Sequence, residues 1–520
     1  MTETRATAAP DAYSDVDRQS DVGALHGMGY AQELQRRMGR FSNFAISFSI
    51  ICILAGGINS LAQGISGVGG AAIGIGWPLG CLISGVFAVA LAQIASAYPT
   101  AGGLYHWGSI LGNRGLGWLT AWLNLIGLVI VLASINVGTW SFFLGAFGPT
   151  LGLAGTYAQQ LVFVIAITAS QALVNHLGIR LTTVLTDLSG YLIFAGALAL
   201  AGACLVFAPH LEWSRLWTFH NYSGAAGGDV WPRSDSLSFI FLLGLLLPIY
   251  TITGYDASAH TAEETRQAAT SVPRAMIGSV IWSAVFGWLF LGSIVIAIPD
   301  MDKAAAQGWS VFFWTMDQIM PPAVKTALHV IIVTAQYLCG LATVTSVSRM
   351  IFAFARDGGL PASAFLKRVS PRFRTPVIAI WAGSALAVLF TAYTPLYTTI
   401  VSVAVIFLFL SFTTPIALGL LAWRRRWTRA APWSIGNWFC VFAVLSILCM
   451  VLIFAIGVQE PNRLALWITV FFVGLTGVAW LTVERHRFKG PPVGEEIALR
   501  RQEIRDAERA VGEAKDGQAP

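Results

Sequence analysis

Charge is what this 520-residue chain has least of: Asp, Glu, Lys and Arg together make up 11% of it, against a hydrophobic share of 56%. Between Phe41 and Ile179 the only one of these residues is Arg114. A soluble domain needs far more polar surface than that, whereas a bilayer span needs about 20 apolar residues. Several spans must therefore follow one another in that stretch. Cysteine is scarce too. Cys52, Cys81, Cys204, Cys339, Cys440 and Cys449 all sit in apolar runs without C-x-x-C spacing, which argues against disulfides and a metal site and reads them as packing residues. The opening residues are polar and have no apolar core behind a basic start, so no cleavable signal peptide is expected and the first span should direct insertion. The net charge of +6 does not point to nucleic acid, because membrane topology accounts for where the basic residues fall.

What is there reads as an all-α polytopic membrane protein of twelve transmembrane helices, centred near Cys52, Val86, Val129, Val164, Leu198, Leu245, Phe286, Val333, Val388, Leu408, Leu448 and Phe472. With the N-terminus inside, Arg36, Arg37, Arg40, Arg114, Arg180, Arg266, Arg356, Arg372 and Arg424 to Arg426 fall on the cytoplasmic side. Only Arg215, Arg233, Lys303, Lys325 and Arg463 fall on the other. This asymmetry places both termini in the cytoplasm of a multi-pass protein of the plasma (cell inner) membrane. The expected organisation is a cytoplasmic tail over 1–40, five spans in 41–210, five more in 235–423, two added spans in 433–484 and a second cytoplasmic tail over 485–520. The first tail is expected to be disordered to about Gly23 and then amphipathic around Gln32 to Met38, lying along the membrane surface or closing against the inner face. The second is expected to be solvated, with a helix near Glu495 to Val511.

The sixth span loses its apolar character before it reaches a loop. Tyr250, Thr251, Thr253, Gly254, Tyr255 and Asp256 follow the hydrocarbon run Leu237 to Leu247, and His260, Glu263 and Glu264 come next. A charge in mid-bilayer costs about 2.5 to 3.5 kcal/mol on insertion scales, so it faces a cavity or a partner, and the adjoining glycine points to a discontinuous helix. The first span carries Ala55, Gly56 and Gly57 near its middle. Alone they read equally as a packing surface or a break. Matched breaks in corresponding spans of two five-span halves favour the break and a transport site there. Asp256, His260 and Glu264 stand at helical spacing but lack the H-E-x-x-H pattern, and no metal site is expected. The uncharged segment Ala95 to Trp107 reads as a turn packed under the bundle, either as part of an inner gate or as plain packing. Arg349 and Arg356, after the hydroxyl run Thr343 to Ser348, are expected to pair with Asp357, Glu263 or Glu264.

These stretches, AGGINS, ASAYPTAGGLYHW, GYDASAHTAEET with VPRA, and SRMIFAFARDGGLP, resemble the amino acid–polyamine–organocation superfamily, in particular its amino acid/choline transporter branch with its GABA and choline permeases. The resemblance runs from about Arg40 to Arg485 and implies a five-plus-five inverted repeat with two added helices and alternating access. It implies substrate contacts at Ala55, Gly56 and Gly57 and at Thr253, Gly254 and Tyr255. Physically, a restarting half-helix offers free N–H groups and a partial positive charge to a carboxylate, and released carbonyls suit an ammonium group. Tyr250 or Tyr255 would cover the site or meet a cationic head group. Asp256 admits three readings: partner of the substrate amine, carrier of a coupling proton, or a gate residue capping the resumed helix. His260 reads as a proton relay or an interior hydrogen-bonded histidine. In transporters so organised, Thr345 and Ser346 would face the first-span break and ligate sodium. Some relatives couple protons through a fifth-span lysine; Asp187 to Phe207 contains none, which leaves a proton-carrying acid, sodium or exchange.

The function expected is a secondary active transporter importing an amino acid or related small amine such as GABA, with a proton or sodium as possible coupling ion and no other cofactor. Its partners are the small-molecule substrate and the lipid bilayer. Choline is the second substrate class, supported if Tyr250, Tyr255, Tyr337 and Trp140 cluster at the breaks. A membrane-embedded enzyme would need paired acids or a His/Asp set at one membrane face away from the sixth span, and a receptor would need a soluble signalling domain.

Overall fold

A computed structural model describes residues 15–224, 230–393, 397–425, 427, 431–460, 462–492 and 495–511. The start of the first tail, Arg426 and the end of the second tail lie outside the described residues. Among the described residues, ten helices are long and apolar enough to cross a membrane, and two shorter apolar ones, Leu237–Thr251 and Val377–Tyr393, accompany them. Every centre read from the sequence falls inside one of them. Beyond helices, the described residues show only the isolated bridges Met38–Thr265 and Trp423–Trp427.

Burial orders the spans around a centre. The most apolar window of the first span is 89% buried, while that of the twelfth, within Arg463–Arg487, is 17% buried. Leu448 and Val451 on the eleventh span and Phe471 and Leu481 on the twelfth stand exposed, as Val162, Val184 and Val206 do on the fourth and fifth spans. Such apolar faces suit lipid chains. The first span lies between the fifth, seventh and eighth, and the third, Arg114–Leu151, runs along the eighth and tenth. Polar residues concentrate inside this centre, where Ser47, Asn124, Ser134, Asn136 and Gln336 are all buried.

The tails keep the expected helix near Glu495 to Val511 but are more ordered and more closely packed than solvated tails. Asp15–His26 is helical. Asp21 accepts hydrogen bonds from the backbone N–H of Gln267 (2.7 Å) and Ala268 (3.2 Å), at the start of the seventh span. A carboxylate at those free N–H groups is the usual helix-start stabiliser. Tyr30 to Met38 takes one of its two expected places, closed against the end of the bundle, as a largely buried strap held by Arg374 to the carbonyl of Glu33 (2.9 Å) and by Arg36 to that of Ala262 (3.0 Å). The second tail is helical at Arg501–Ala510, and Glu508 is buried against the first, bonded to His26 (2.7 Å) and to the N–H of Gln32 (2.9 Å). Burial opposes its charge, but those two bonds prevail and hold the Glu508 carboxyl below the usual range. The arginine-rich end of the bundle is thus covered by both tails.

Candidate functional site

Both expected breaks exist, and they are built differently. The sixth span ends at Thr251, passes through Ile252 to Asp256 and resumes over Ala257–His260. Gly254 has φ +88°, and a Cβ there would come 2.3 Å from Ile50 on the first span. Only glycine suits that backbone at that approach. The first span breaks at Cys52, three residues before the expected position: Arg40–Ile51 and Ile53–Val68 meet at a left-handed residue with φ 33° and ψ 73°. Its neighbours receive compensation from the eighth span, where the Cys339 thiol donates to the carbonyl of Ile50 (3.3 Å) and the Cys52 thiol reaches that of Ala335 (3.7 Å). Gly56 and Gly57 lie in the resumed helix and act as packing positions. A Cβ on Gly56 would meet the Thr251 side chain at 2.8 Å, and one on Gly57 would meet Phe290 and Leu291 at 3.2 Å.

A small cavity of about 20 Å³ lies between the breaks. Ala55 and Gly56 line it from the first turns of the resumed first-span helix, Tyr250 and Thr251 from the last turn of the first part of the sixth span, and Thr253 from the break itself. Ile50, Ile51, Asn59, Val131, Ser134, Ile135 and Cys339 complete the wall. Among the described residues, no carboxylate, lysine, arginine or histidine side chain lines it. The start of one half-helix, a partial positive charge, therefore faces the end of another, a partial negative charge, across walls that mix apolar side chains with uncharged polar ones such as Asn59 and Ser134. Of the expected contact residues, Gly57, Gly254 and Tyr255 do not line the cavity; Tyr255 is fully buried against Phe412, with ring centroids 5.2 Å apart. Tyr250 lines it and is bonded through its hydroxyl to Ser134 (2.5 Å), so the contact joins the sixth span to the third.

Asp256 is not a side-chain cap. It occupies the cap position in αR conformation with no capping bond, and the N–H of Ser258 is taken by Ser47 of the first span (3.0 Å). Its carboxylate instead accepts from Asn124 (3.2 Å) and meets the His260 ring (3.3 Å), all fully buried. Helical spacing does not carry Glu264 onto the same face, because the helix ends at His260 and a 3₁₀ turn, Ala262–Glu264, follows. The two glutamates there turn to the eighth span. Glu264 forms a two-bond pair with Arg349 (2.8 and 2.9 Å), and Glu263 with Arg356 (2.9 and 3.0 Å). Removing one member of so buried a pair strands a charge.

The first span is stitched to the resumed sixth span by side chains. Asn43 donates to the Ser258 carbonyl (3.0 Å) and to Thr265 (2.8 Å), and Ser47 donates to the Tyr255 carbonyl (2.9 Å). The segment after the second span is buried beneath them: Glu263 accepts from the N–H of Ala101 (3.1 Å), and Thr100 bonds His106 (2.5 Å). Tyr30, from the strap, bonds both His106 and Asp357 (2.7 Å to the latter), and Tyr105 donates to Asp357 (2.9 Å). Burial opposes charge on Asp357, but His106, Arg356 and the Tyr30 hydroxyl outweigh it and hold the carboxyl below its ordinary range.

Thr345 does not face the first-span break. Its hydroxyl donates to Asn175 of the fourth span (2.7 Å), while Ser346 is buried without a hydrogen-bond partner for its hydroxyl. The residues beside the break are Ala335 and Cys339, about two turns away along the same helix. Nor do the four aromatic residues cluster: Trp140 packs on Phe163 (5.3 Å between centroids) and Tyr337 bonds Ser170 (3.1 Å). Ser134, Asn124 and Tyr30 carry no reading in the sequence, and Cys52 and Cys339 carry only that of packing residues. Ser134 and Asn124 were findable as polar residues in the apolar third span; a left-handed cysteine carries no such signal.

Comparisons with known proteins accord with this architecture. The family model described as amino acid permease matches residues 38–480. The amino-acid permease BAT1 of Arabidopsis thaliana is 32% identical over 504 residues, covering 90% of this chain and 95% of its own. Amino-acid permease 2 of Neurospora crassa is 28% identical, covering 94% and 92% respectively. A GABA-specific permease of Saccharomyces cerevisiae is 28% identical over 391 residues, 70% of this chain and 64% of its own.

Proposed function

The chain belongs to the amino acid permease family, and from that premise we propose that it is a secondary active transporter importing a zwitterionic amino acid or a related small amine such as GABA by alternating access. The observation that carries this is the cavity whose walls include the start of one half-helix and the end of another, Ala55 and Gly56 against Tyr250, Thr251 and Thr253. A carboxylate fits the first and an ammonium group the second, and a substrate bearing both uses the whole site. The arginine-rich end faces the cytoplasm, and both tails lie there. Spans 1, 2, 6 and 7 rock against spans 3, 4, 8 and 9. The Asn43 and Ser47 bonds keep the first and sixth spans together, and the Tyr250–Ser134 contact lies across the moving boundary.

Choline is disfavoured as substrate. It has no carboxylate for the first-span helix start, and of the four aromatic residues that would cage it only Tyr250 lines the cavity. The test is a panel of labelled neutral amino acids, GABA and choline offered to the purified protein in proteoliposomes, with and without proton or sodium gradients. Accumulation of an amino acid or GABA is expected; accumulation of choline alone would overturn the substrate class.

A further inference from the structure

Six side chains with polar atoms stand in the cavity wall, and five of them are committed to protein partners. Ser134 donates to the carbonyl of Val131 (2.8 Å), which leaves the Tyr250 hydroxyl as the donor in their mutual bond. Thr251 donates to the carbonyl of Leu247 (3.0 Å), Thr253 to that of Tyr250 (2.7 Å) and the Cys339 thiol to that of Ile50 (3.3 Å). Every hydroxyl and thiol hydrogen in the wall is thereby spent. Asn59 differs: it is half-buried, and among the described residues none is hydrogen-bonded to its amide. We infer that Asn59 reads the substrate side chain and selects neutral amino acids that carry a hydroxyl or a carboxamide there over aliphatic ones. This rests on reading the chain as an amino acid transporter and deepens it by naming the substrate class.

Position supports this role. The first-span helix restarts at Ile53, and Asn59 stands six residues further on, about 9 Å along the axis at ~1.5 Å per residue. Ala55 and Gly56 lie one turn before it on the same face. A carboxylate held at the restart is beyond the reach of so short a side chain, and the ammonium end, Tyr250 to Thr253, belongs to another span. Asn59 is left to meet what projects from the substrate's α-carbon. The cavity, at about 20 Å³, must widen to admit an amino acid. The Ser134, Thr251 and Thr253 bonds run to carbonyls of their own spans, so they persist when spans move apart. An uncharged amide offers two N–H donors and an acceptor oxygen, which pair with a hydroxyl or with a second amide. Against a methyl group it would give up water and gain nothing in exchange. Ile50, Ile51, Val131 and Ile135 make the rest of the wall apolar, which sharpens that penalty, and no charged side chain lines the cavity among the described residues to balance a charged substrate side chain.

The test is uptake by the full chain in proteoliposomes of two pairs of amino acids matched in shape, threonine against valine and asparagine against leucine. The wild type is expected to favour threonine and asparagine by about tenfold or more in kcat/KM, because a hydrogen-bonding group in a site rejects the analogue that leaves it unpaired. Asn59→Leu should bring both ratios to within about twofold of unity or invert them, through slower uptake of threonine and asparagine. Asn59→Ser keeps a hydroxyl and should retain part of the preference. Unchanged ratios in Asn59→Leu would overturn the assignment, as would a wild type that transports all four without preference. Equal loss of all four substrates in both variants would also overturn it, by marking a structural role. A wild type that accumulates none of the four, no other amino acid and no GABA would bring down the transport reading itself, and the assignment with it.

Discussion

The first and sixth spans are both interrupted at the cavity, yet one break is written in glycine and the other is not. At the sixth, Gly254 takes a positive φ against Ile50, and five residues from Ile252 to Asp256 leave the helix. At the first, a single cysteine turns left-handed and the helix restarts at once, steadied by thiol and carbonyl contacts to the eighth span. The sixth-span break is therefore a local property of its sequence, and the first is imposed by its neighbours. Glycines at the first break serve close approach instead: Gly56 lets Thr251 of the sixth span come near.

Substitutions at the two breaks should separate accordingly. The largest effect is expected for Gly254→Val, where a β-branched residue meets both a forbidden φ and a 2.3 Å approach to Ile50; uptake should vanish while the protein still inserts and purifies. Gly56→Val comes next, because its Cβ would sit 2.8 Å from the end of a threonine side chain, a clash of packing without backbone strain. Uptake is expected to be abolished there too, with Gly56→Ala retaining part of it. Tyr250→Phe removes only the hydroxyl bonded to Ser134, and a loss of about 1 kcal/mol, roughly fivefold in kcat/KM, is expected from initial rates. The smallest change belongs to Cys52→Gly. Relief of about 1 kcal/mol of left-handed strain offsets the weak thiol contact, so thermal stability and uptake should stay near wild type. If Cys52→Gly proved as damaging as Gly254→Val, the contrast between the breaks would be lost.

Much of this was legible in the chain. Spans follow from apolar length, and the sixth-span break from a glycine beside a buried acid, since both express local physics. The pairing of Arg349 and Arg356 with Glu264 and Glu263 was legible as charge that must be neutralised in a low-dielectric interior. The position of the first break was not, because nothing in Ile51-Cys52-Ile53 disfavours a continuous helix. Thr345 was misplaced for a related reason: hydroxyls on a long helix say nothing of which neighbour each will face, and Asn175 claimed it. The partners of the tails are not legible either, because Asp21, Tyr30 and Glu508 find them only once the bundle exists.

The central claim is that the two half-helix ends around the cavity bind a substrate carrying both a carboxylate and an ammonium group. It is tested most directly by measuring, in proteoliposomes, whether a transported amino acid is displaced by its methyl ester, which lacks the carboxylate charge, and by its N-acetyl derivative, which lacks the ammonium. Wild-type protein is expected to bind the intact amino acid and to bind each derivative at least about tenfold more weakly, since each forfeits one charged half of the site. Equal competition by all three would contradict the account.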